Sequence, residues 1–343
     1  MSTRRVLSLG TLVLVAVLLY LSRHELVEAW RLLQTVDLAI LAFIIPLQML
    51  SYYAAGAMVF SYLKQKKAVQ GSAVELAKVS LELNFVNHIL PTGGVSGASY
   101  MTWRLRRLGV GAGRATLAQV VRFAATFSSF LALLLVALVV ITLDGNITRV
   151  TILVTSGIAS TIVFGTLFVG YIINSRERLQ SFSRMLTRLV NGVWRRLLRR
   201  KTALLHADKV TAFFEELHDD YLVLKREPRL LVRPFLWGLV YNLAEVSMFF
   251  VAFWALGTPV NPAPLLIAFG VATIAGFFVV TPGGAGGYEL VMIAFLSSTG
   301  IPQGAVVAAV LLARTLLILG TIISGSVFYY LALEKYGKRP AQR

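Results

Sequence analysis

The chain has 343 residues, of which 57% are hydrophobic and only 14% charged, with 33 Lys and Arg against 16 Asp and Glu for a net charge of +17. A soluble domain of this length needs a more charged surface, so lipid must solvate much of the molecule. The basic residues sit in short clusters between apolar runs, which argues against nucleic acid and for the positive-inside bias of a membrane protein. The absence of cysteine excludes disulfides, thiolate metal sites and thiol nucleophiles.

In chain order, six runs are long and apolar enough to cross a hydrocarbon core of about 30 Å, which takes about 20 helical residues. The first, Val6–Ser22, follows Arg4 and Arg5 as a signal peptide would, but Leu21-Ser22-Arg23 is a poor cleavage site and an uncleaved helix is expected. Leu38–Leu63 is the second. Ser72–Met101 is apolar but broken by Pro91-Thr92-Gly93-Gly94-Val95-Ser96-Gly97. Ala115–Thr142 and Val150–Ile173 are the third and fourth. The basic loop 174–233, with Arg195, Arg196, Arg199, Arg200 and Lys201, reads as amphipathic helices on anionic headgroups or as a plain topology-setting cluster. Pro234–Leu256 is the fifth span. Ala263–Ser298 is broken by Pro282-Gly283-Gly284-Ala285-Gly286-Gly287, and Gly304–Leu333 is the sixth.

With the N-terminus cytoplasmic, the segments 1–5, 64–71, 104–114, 174–233 and 334–343 hold 27 of the 33 basic residues, which sets the orientation and places both termini inside. The stretch after each Pro-Gly break is too short to cross; Tyr288–Ser298 makes about 16 Å of helix. Both broken segments therefore read as re-entrant hairpins, whose irregular backbone needs protein or a water-filled cavity around it. The breaks also repeat. Pro91 and Pro282 are 191 residues apart, as are Gly109 and Gly300, and Arg122 and Arg314 follow at an offset of 192. Leu38–Leu63 runs inward and Pro234–Leu256 outward, so the two units have inverted topology. The expected fold is an all-α polytopic membrane protein with six spans and two re-entrant hairpins in one domain, repeat one about 1–145 and repeat two about 150–335. In such architectures the site lies at the repeat interface.

Arg122 and Arg314 are the foremost site candidates, because a guanidinium in hydrocarbon costs at least about 2.5–3.5 kcal/mol without a partner or cavity. They are suited to grip an anionic headgroup, since arginine matches phosphate with two parallel hydrogen bonds. The alternative is internal pairing with Glu82, Glu245 or Glu289, or snorkelling. The hairpin tips, Pro91, Gly93 and Gly94 in one and Pro282, Gly283, Gly284, Gly286 and Gly287 in the other, expose backbone N–H groups; the glycines equally serve the turn itself. Gly286-Gly287-Tyr288-Glu289 opens a helix that receives a phosphate or is capped by Glu289. Glu82, Asn84, Asn87 and His88 form a polar stripe into the first break, lining a headgroup path or satisfying freed backbone groups. Asn242 and Glu245 share a face of a span; the carboxylate carries protons for coupling or pairs with an arginine. Four scattered histidines give no metal motif, and no Walker A sequence or nucleophile elbow is present, so neither metal, cofactor nor ATP coupling is expected.

Three blocks, Asn87-His88-Ile89-Leu90-Pro91-Thr92-Gly93-Gly94, Arg104-Leu105-Arg106-Arg107-Leu108-Gly109 and Thr281-Pro282-Gly283-Gly284-Ala285-Gly286-Gly287-Tyr288-Glu289, together resemble the membrane domain of the lysylphosphatidylglycerol synthase/flippase family and its stand-alone relatives in bacteria and archaea. The similarity spans roughly residues 1–335. It implies a multi-pass protein of a prokaryotic cytoplasmic membrane that moves an anionic or aminoacylated phospholipid, or a polyprenyl-phosphate-linked lipid, between leaflets. The aminoacyl-transferase domain of the synthases is not expected in this sequence, so the resemblance does not extend to synthase activity. Two alternatives remain: a membrane-embedded lipid transferase using Glu82 and His88, and a lipid-binding scaffold that docks a cytoplasmic enzyme through 174–233. The expected partner in the leading reading is a membrane lipid with a phosphate headgroup.

Overall fold

In the computed structural model, residues 27–336 are described, apart from 28–29, 33, 67–68, 70–71, 90–94, 144–148, 199–214, 216–217, 220 and 279–285. The described residues are helical with no strand. The expected first span Val6–Ser22 falls outside the described residues, as do 91–94 of the first Pro-Gly break and 282–285 of the second, while 95–97 already belong to a helix and Gly286 caps one that Gly287 begins.

Asp37 starts the first element, its carboxylate accepting from the Ala39 and Ile40 N–H groups at 2.9 and 3.2 Å, which satisfies donors that a helix start leaves free. The short α1 (Leu38–Leu41) leads into α2 (Ile44–Gln65). Pro46 is tolerated there because it sits in the first turn. Then come α3 (Ala73–Ile89), α4 (Val95–Arg107), α5 (Ala112–Leu143), α6 (Arg149–Ile173) and α7 (Arg176–Leu198). A 3₁₀ turn, Pro228–Leu231, enters α8 (Val232–Ala255), followed by α9 (Pro262–Phe278), α10 (Gly287–Ser298) and α11 (Gln303–Tyr336). Among the described residues, five helical runs are long and apolar enough to cross a membrane: Leu38–Gln65, Ala112–Leu143, Thr151–Ile173, Pro228–Ala255 and Gln303–Tyr336. Each coincides within a few residues with a run predicted from the sequence. The helices flanking the breaks are shorter, α4 with 13 residues and α10 with 12, about 20 and 18 Å at 1.5 Å per residue.

Left-handed glycines end the two short helices. Gly109 (φ 84°) follows α4 and Gly300 (φ 89°) follows α10; at the first, the Val110 N–H reaches back to the Leu105 carbonyl at 3.1 Å, the C-cap geometry that only glycine enters without strain.

The centre of the molecule is the pair α2 and α8, which lie antiparallel. At one end the Asp37 N–H donates to the Ala255 carbonyl at 3.0 Å. At the other, Gln65 Nε2 donates to the Leu230 carbonyl at 3.4 Å and Lys66 pairs with Glu227 at 3.0 Å. Helix α5 closes against α8 at Gly238, where an added Cβ would lie 2.6 Å from Ser129 Oγ and 2.7 Å from the Ala125 carbonyl oxygen. Helix α3 lies along α11, with Gly325 facing Phe85 and Leu81, the Phe85 and Tyr329 rings 5.2 Å apart, and the Tyr336 hydroxyl 3.4 Å from Glu75. Correspondingly α9 packs on α5, with Gly270 against the Phe130 ring. The outer helix α6 turns Leu153, Phe164, Leu167 and Phe168 outward. Beside it, α7 is held to the following segment by Arg176–Asp219 at 2.7 Å, and His218 Nδ1 lies 2.7 Å from the carbonyl of Ile173 at the end of α6.

Candidate polar site in the membrane core

Two apolar cores occupy opposite ends of the bundle. One gathers Ile44, Phe130, Leu134, Phe249, Phe253, Ile267, Met292 and Leu312; the other gathers Leu63, Leu83, Met101, Leu105, Leu117 and Leu230. Polar side chains recur on the facing helices and are linked across them: Gln48, Ser51 and Tyr52 from α2, Arg122, Thr126 and Ser129 from α5, Tyr241, Asn242 and Glu245 from α8, and Arg314 and Thr321 from α11. Helix α10 adds Tyr288 and Glu289. Desolvated polar groups cost free energy unless each finds a partner, so this polar layer can be read one bond at a time.

Arg314 is 9% exposed, and its Nε donates to Glu289 Oε1 at 2.6 Å. Its guanidinium also lies 4.3 Å from the Tyr288 ring centre. The other oxygen of Glu289 accepts from the Gly286 N–H at 2.7 Å. One carboxylate thus caps the start of α10 and neutralises the arginine of α11, which joins two readings that the sequence left as alternatives. Glu245 accepts from the Ser51 hydroxyl, with Arg314 within Coulombic reach. Tyr241, one turn before Glu245, lies within the fields of Glu245, Arg122 and Tyr288 together. Arg122 therefore faces the same layer as Arg314. Its contacts are different in kind: the guanidinium lies 4.9 Å from the Phe123 ring centre, and its buried Nε has no hydrogen-bond partner among the described residues. Asn242, 1% exposed, donates to the Thr126 carbonyl at 3.0 Å and to Ser129 Oγ at 2.9 Å, using its amide to tie α8 to α5. Gln48 donates to the Leu317 carbonyl at 2.7 Å, and Tyr52 bonds Thr321.

Glu82 belongs to a second cluster. It is 2% exposed and takes Arg104 Nε at 3.0 Å and the Tyr100 hydroxyl at 2.9 Å on the same oxygen. Arg104, 3% exposed, also lies 4.1 Å from the Tyr336 ring centre. The sequence reading assigned Arg104 to a cytoplasmic basic cluster. Its burial follows from helical spacing, since Gly97, Met101, Arg104 and Leu105 lie on one face of α4 and are all buried.

The structure thus brings together Arg122, Arg314, Glu289, Glu245 and Asn242, with Gly286 and Gly287 at the start of α10, and sets Glu82 apart from them. Pro91, Gly93, Gly94, Pro282, Gly283 and Gly284 lie outside the described residues, as do the side chains of Asn87 and His88. Ser51, Tyr241 and Tyr288 were not read as site residues. Tyrosine and serine in an apolar helix carry no sequence signal of their own, although Tyr241 and Tyr288 flank two residues that did.

Of the known families, the model described as lysylphosphatidylglycerol synthase TM region matches residues 6–325. No curated protein matches the chain.

Proposed function

Because the chain belongs to the family of the lysylphosphatidylglycerol synthase transmembrane region and is a multi-pass helical membrane protein, we propose that it carries a phosphate-bearing lipid between the leaflets of a prokaryotic cytoplasmic membrane. The observation that carries this reading is that Arg122 and Arg314, from helices in opposite halves of the chain, lie within Coulombic reach of Tyr241 and Glu245, one turn apart on α8. Arginines are retained within membrane helices where they meet an anion or line a water-filled path, and a phosphate headgroup satisfies both. The acyl or prenyl chains of the cargo stay in lipid alongside.

An inverted repeat supports alternating exposure of the polar layer. The antiparallel α2 and α8 precede the hairpin of each half, and α3 and α9 begin 189 residues apart, α4 and α10 192, and α5 and α11 191. Gly109 and Gly300 cap equivalent helices in the same left-handed conformation. Each first hairpin helix, α3 or α9, packs on the last helix of the other half, α11 or α5. In this reading α3–α4 and α9–α10 are re-entrant hairpins from opposite faces, the termini are cytoplasmic, and the 174–233 region lies on the cytoplasmic surface, where an enzyme partner would dock. Broken helices meeting near the midplane form the site in transporters of this kind. Glu82, the acid–base candidate of the transferase alternative, is committed to Arg104 and Tyr100.

Reconstitution into vesicles containing a fluorescent phosphate-bearing lipid tests the proposal. Wild-type protein is expected to expose inner-leaflet probe to an external quencher, and Arg122→Ala and Arg314→Ala to slow this at least tenfold. Equal rates for wild type and both variants contradict it.

A further inference from the structure

The polar layer contains its own charge balance. Among the described residues, Arg314 from α11 is the charged group in Coulombic reach of Glu245; Glu289 from α10 reaches the same cluster at Tyr288, and Arg122 from α5 reaches it at Tyr241. Ser51 and Tyr52 from α2, and Tyr241 and Tyr288, are neutral. Helix α9 has no titratable residue along its whole length. Two guanidinium groups thus stand against two carboxylates.

The two carboxylates are held differently. Glu289 takes a guanidinium N–H at 2.6 Å and a backbone N–H at 2.7 Å. Glu245 takes one neutral hydroxyl, from Ser51, and among the described residues no guanidinium is in ion-pair contact with it. A singly charged phosphodiester that enters beside Arg122 gives the layer one negative charge in excess. In a medium of low dielectric such an excess is removed by neutralising the least supported anion.

We propose that Glu245 is a proton-binding site coupled to the headgroup anion: binding of one phosphate monoanion in the layer takes up one proton from water onto the Glu245 carboxylate, and release of the anion returns it. The inference rests on the lipid-carrier reading above and adds the coupling ion to it. Anion and proton then travel together without net charge, and a proton gradient drives the headgroup toward the alkaline side. By reciprocity, whatever raises proton occupancy at Glu245 tightens anion binding by the same factor. The sign follows: affinity is full where Glu245 is already protonated in the empty site and falls as pH rises, tenfold per unit, until Glu245 is ionised in the occupied site too.

The full-length protein, purified in detergent and titrated with dihexanoyl phosphatidylglycerol in weakly buffered solution with a pH indicator, tests this. Wild type is expected to take up close to one proton per bound lipid, with Kd weakening tenfold per pH unit in the coupled window. Glu245→Gln is expected to bind more tightly than wild type at high pH, without uptake and with a Kd independent of pH. Ser51→Ala, which removes the donor to the ionised form, is expected to move the window to higher pH. Binding by wild type without proton uptake overturns the coupling and leaves the carrier reading standing. Failure of wild type to bind overturns the carrier reading and the coupling with it.

Discussion

Glu289 shows how one side chain can serve both fold and site. Its two oxygens are divided between the Gly286 N–H, which starts α10, and Arg314, which belongs to α11. Both members of the pair are almost fully covered, at 10% and 13% side-chain exposure, so removal of either takes the ion-pair partner from a buried charge. Glu289→Ala and Arg314→Ala are each expected to destabilise the protein by about 3–5 kcal/mol, read as unfolding midpoints in detergent, and the double variant by clearly less than the sum. The sequence disclosed Arg122, Arg314 and the three buried carboxylates because a charge in an apolar run is conspicuous. It did not disclose their pairing, because partners lie on different helices and only tertiary contact selects among Glu82, Glu245 and Glu289. Arg104 was hidden for the opposite reason: beside Arg106 and Arg107 it looks like one more topological charge, although the spacing of Gly97, Met101 and Leu105 places it on the buried face.

At the level of helices, length and apolarity were enough to delimit the five long apolar helices among the described residues, since the hydrocarbon thickness sets a minimum run that few other elements reach. The contacts between them depend on small residues whose role is invisible without a partner helix. Helix association in lipid rests on close approach and on interhelical hydrogen bonds rather than on water exclusion, and the α5–α8 crossing uses both, with Gly238 against the Ala125 carbonyl and Asn242 bonded to Thr126 and Ser129. Gly238→Ala drives a methyl group onto Ser129 Oγ and the Ala125 backbone carbonyl, and the carbonyl cannot swing aside; a loss of about 1–3 kcal/mol is expected. Asn242→Ala forfeits two hydrogen bonds and is expected to cost roughly 1–2 kcal/mol. Thermal melts of the purified variants measure both, and a neutral Gly238→Ala would mean that α5 and α8 stand further apart than described.

For the molecule as a whole, the orientation came from counting basic residues, and it makes a claim that chemistry can check directly. The chain has no cysteine of its own, so single introduced thiols report without background. Gly111→Cys and Gln303→Cys, both exposed and each just beyond a left-handed glycine, are expected to react with a membrane-impermeant maleimide from opposite sides of the membrane. Labelling from the same side would remove the inverted topology. The exchange of packing partners between halves, α3 lying on α11 and α9 on α5, also bears on biogenesis. The Glu75–Tyr336 contact joins residues 261 positions apart, and at synthesis rates of about 5–20 residues per second the ribosome delivers the second partner roughly 13–50 s after the first. During that interval α3, with Glu82, lacks the helix against which it packs. Each half is thus an incomplete folding unit, and the nascent first half is a natural client for whatever insertase or chaperone shelters polar helices until the chain is finished.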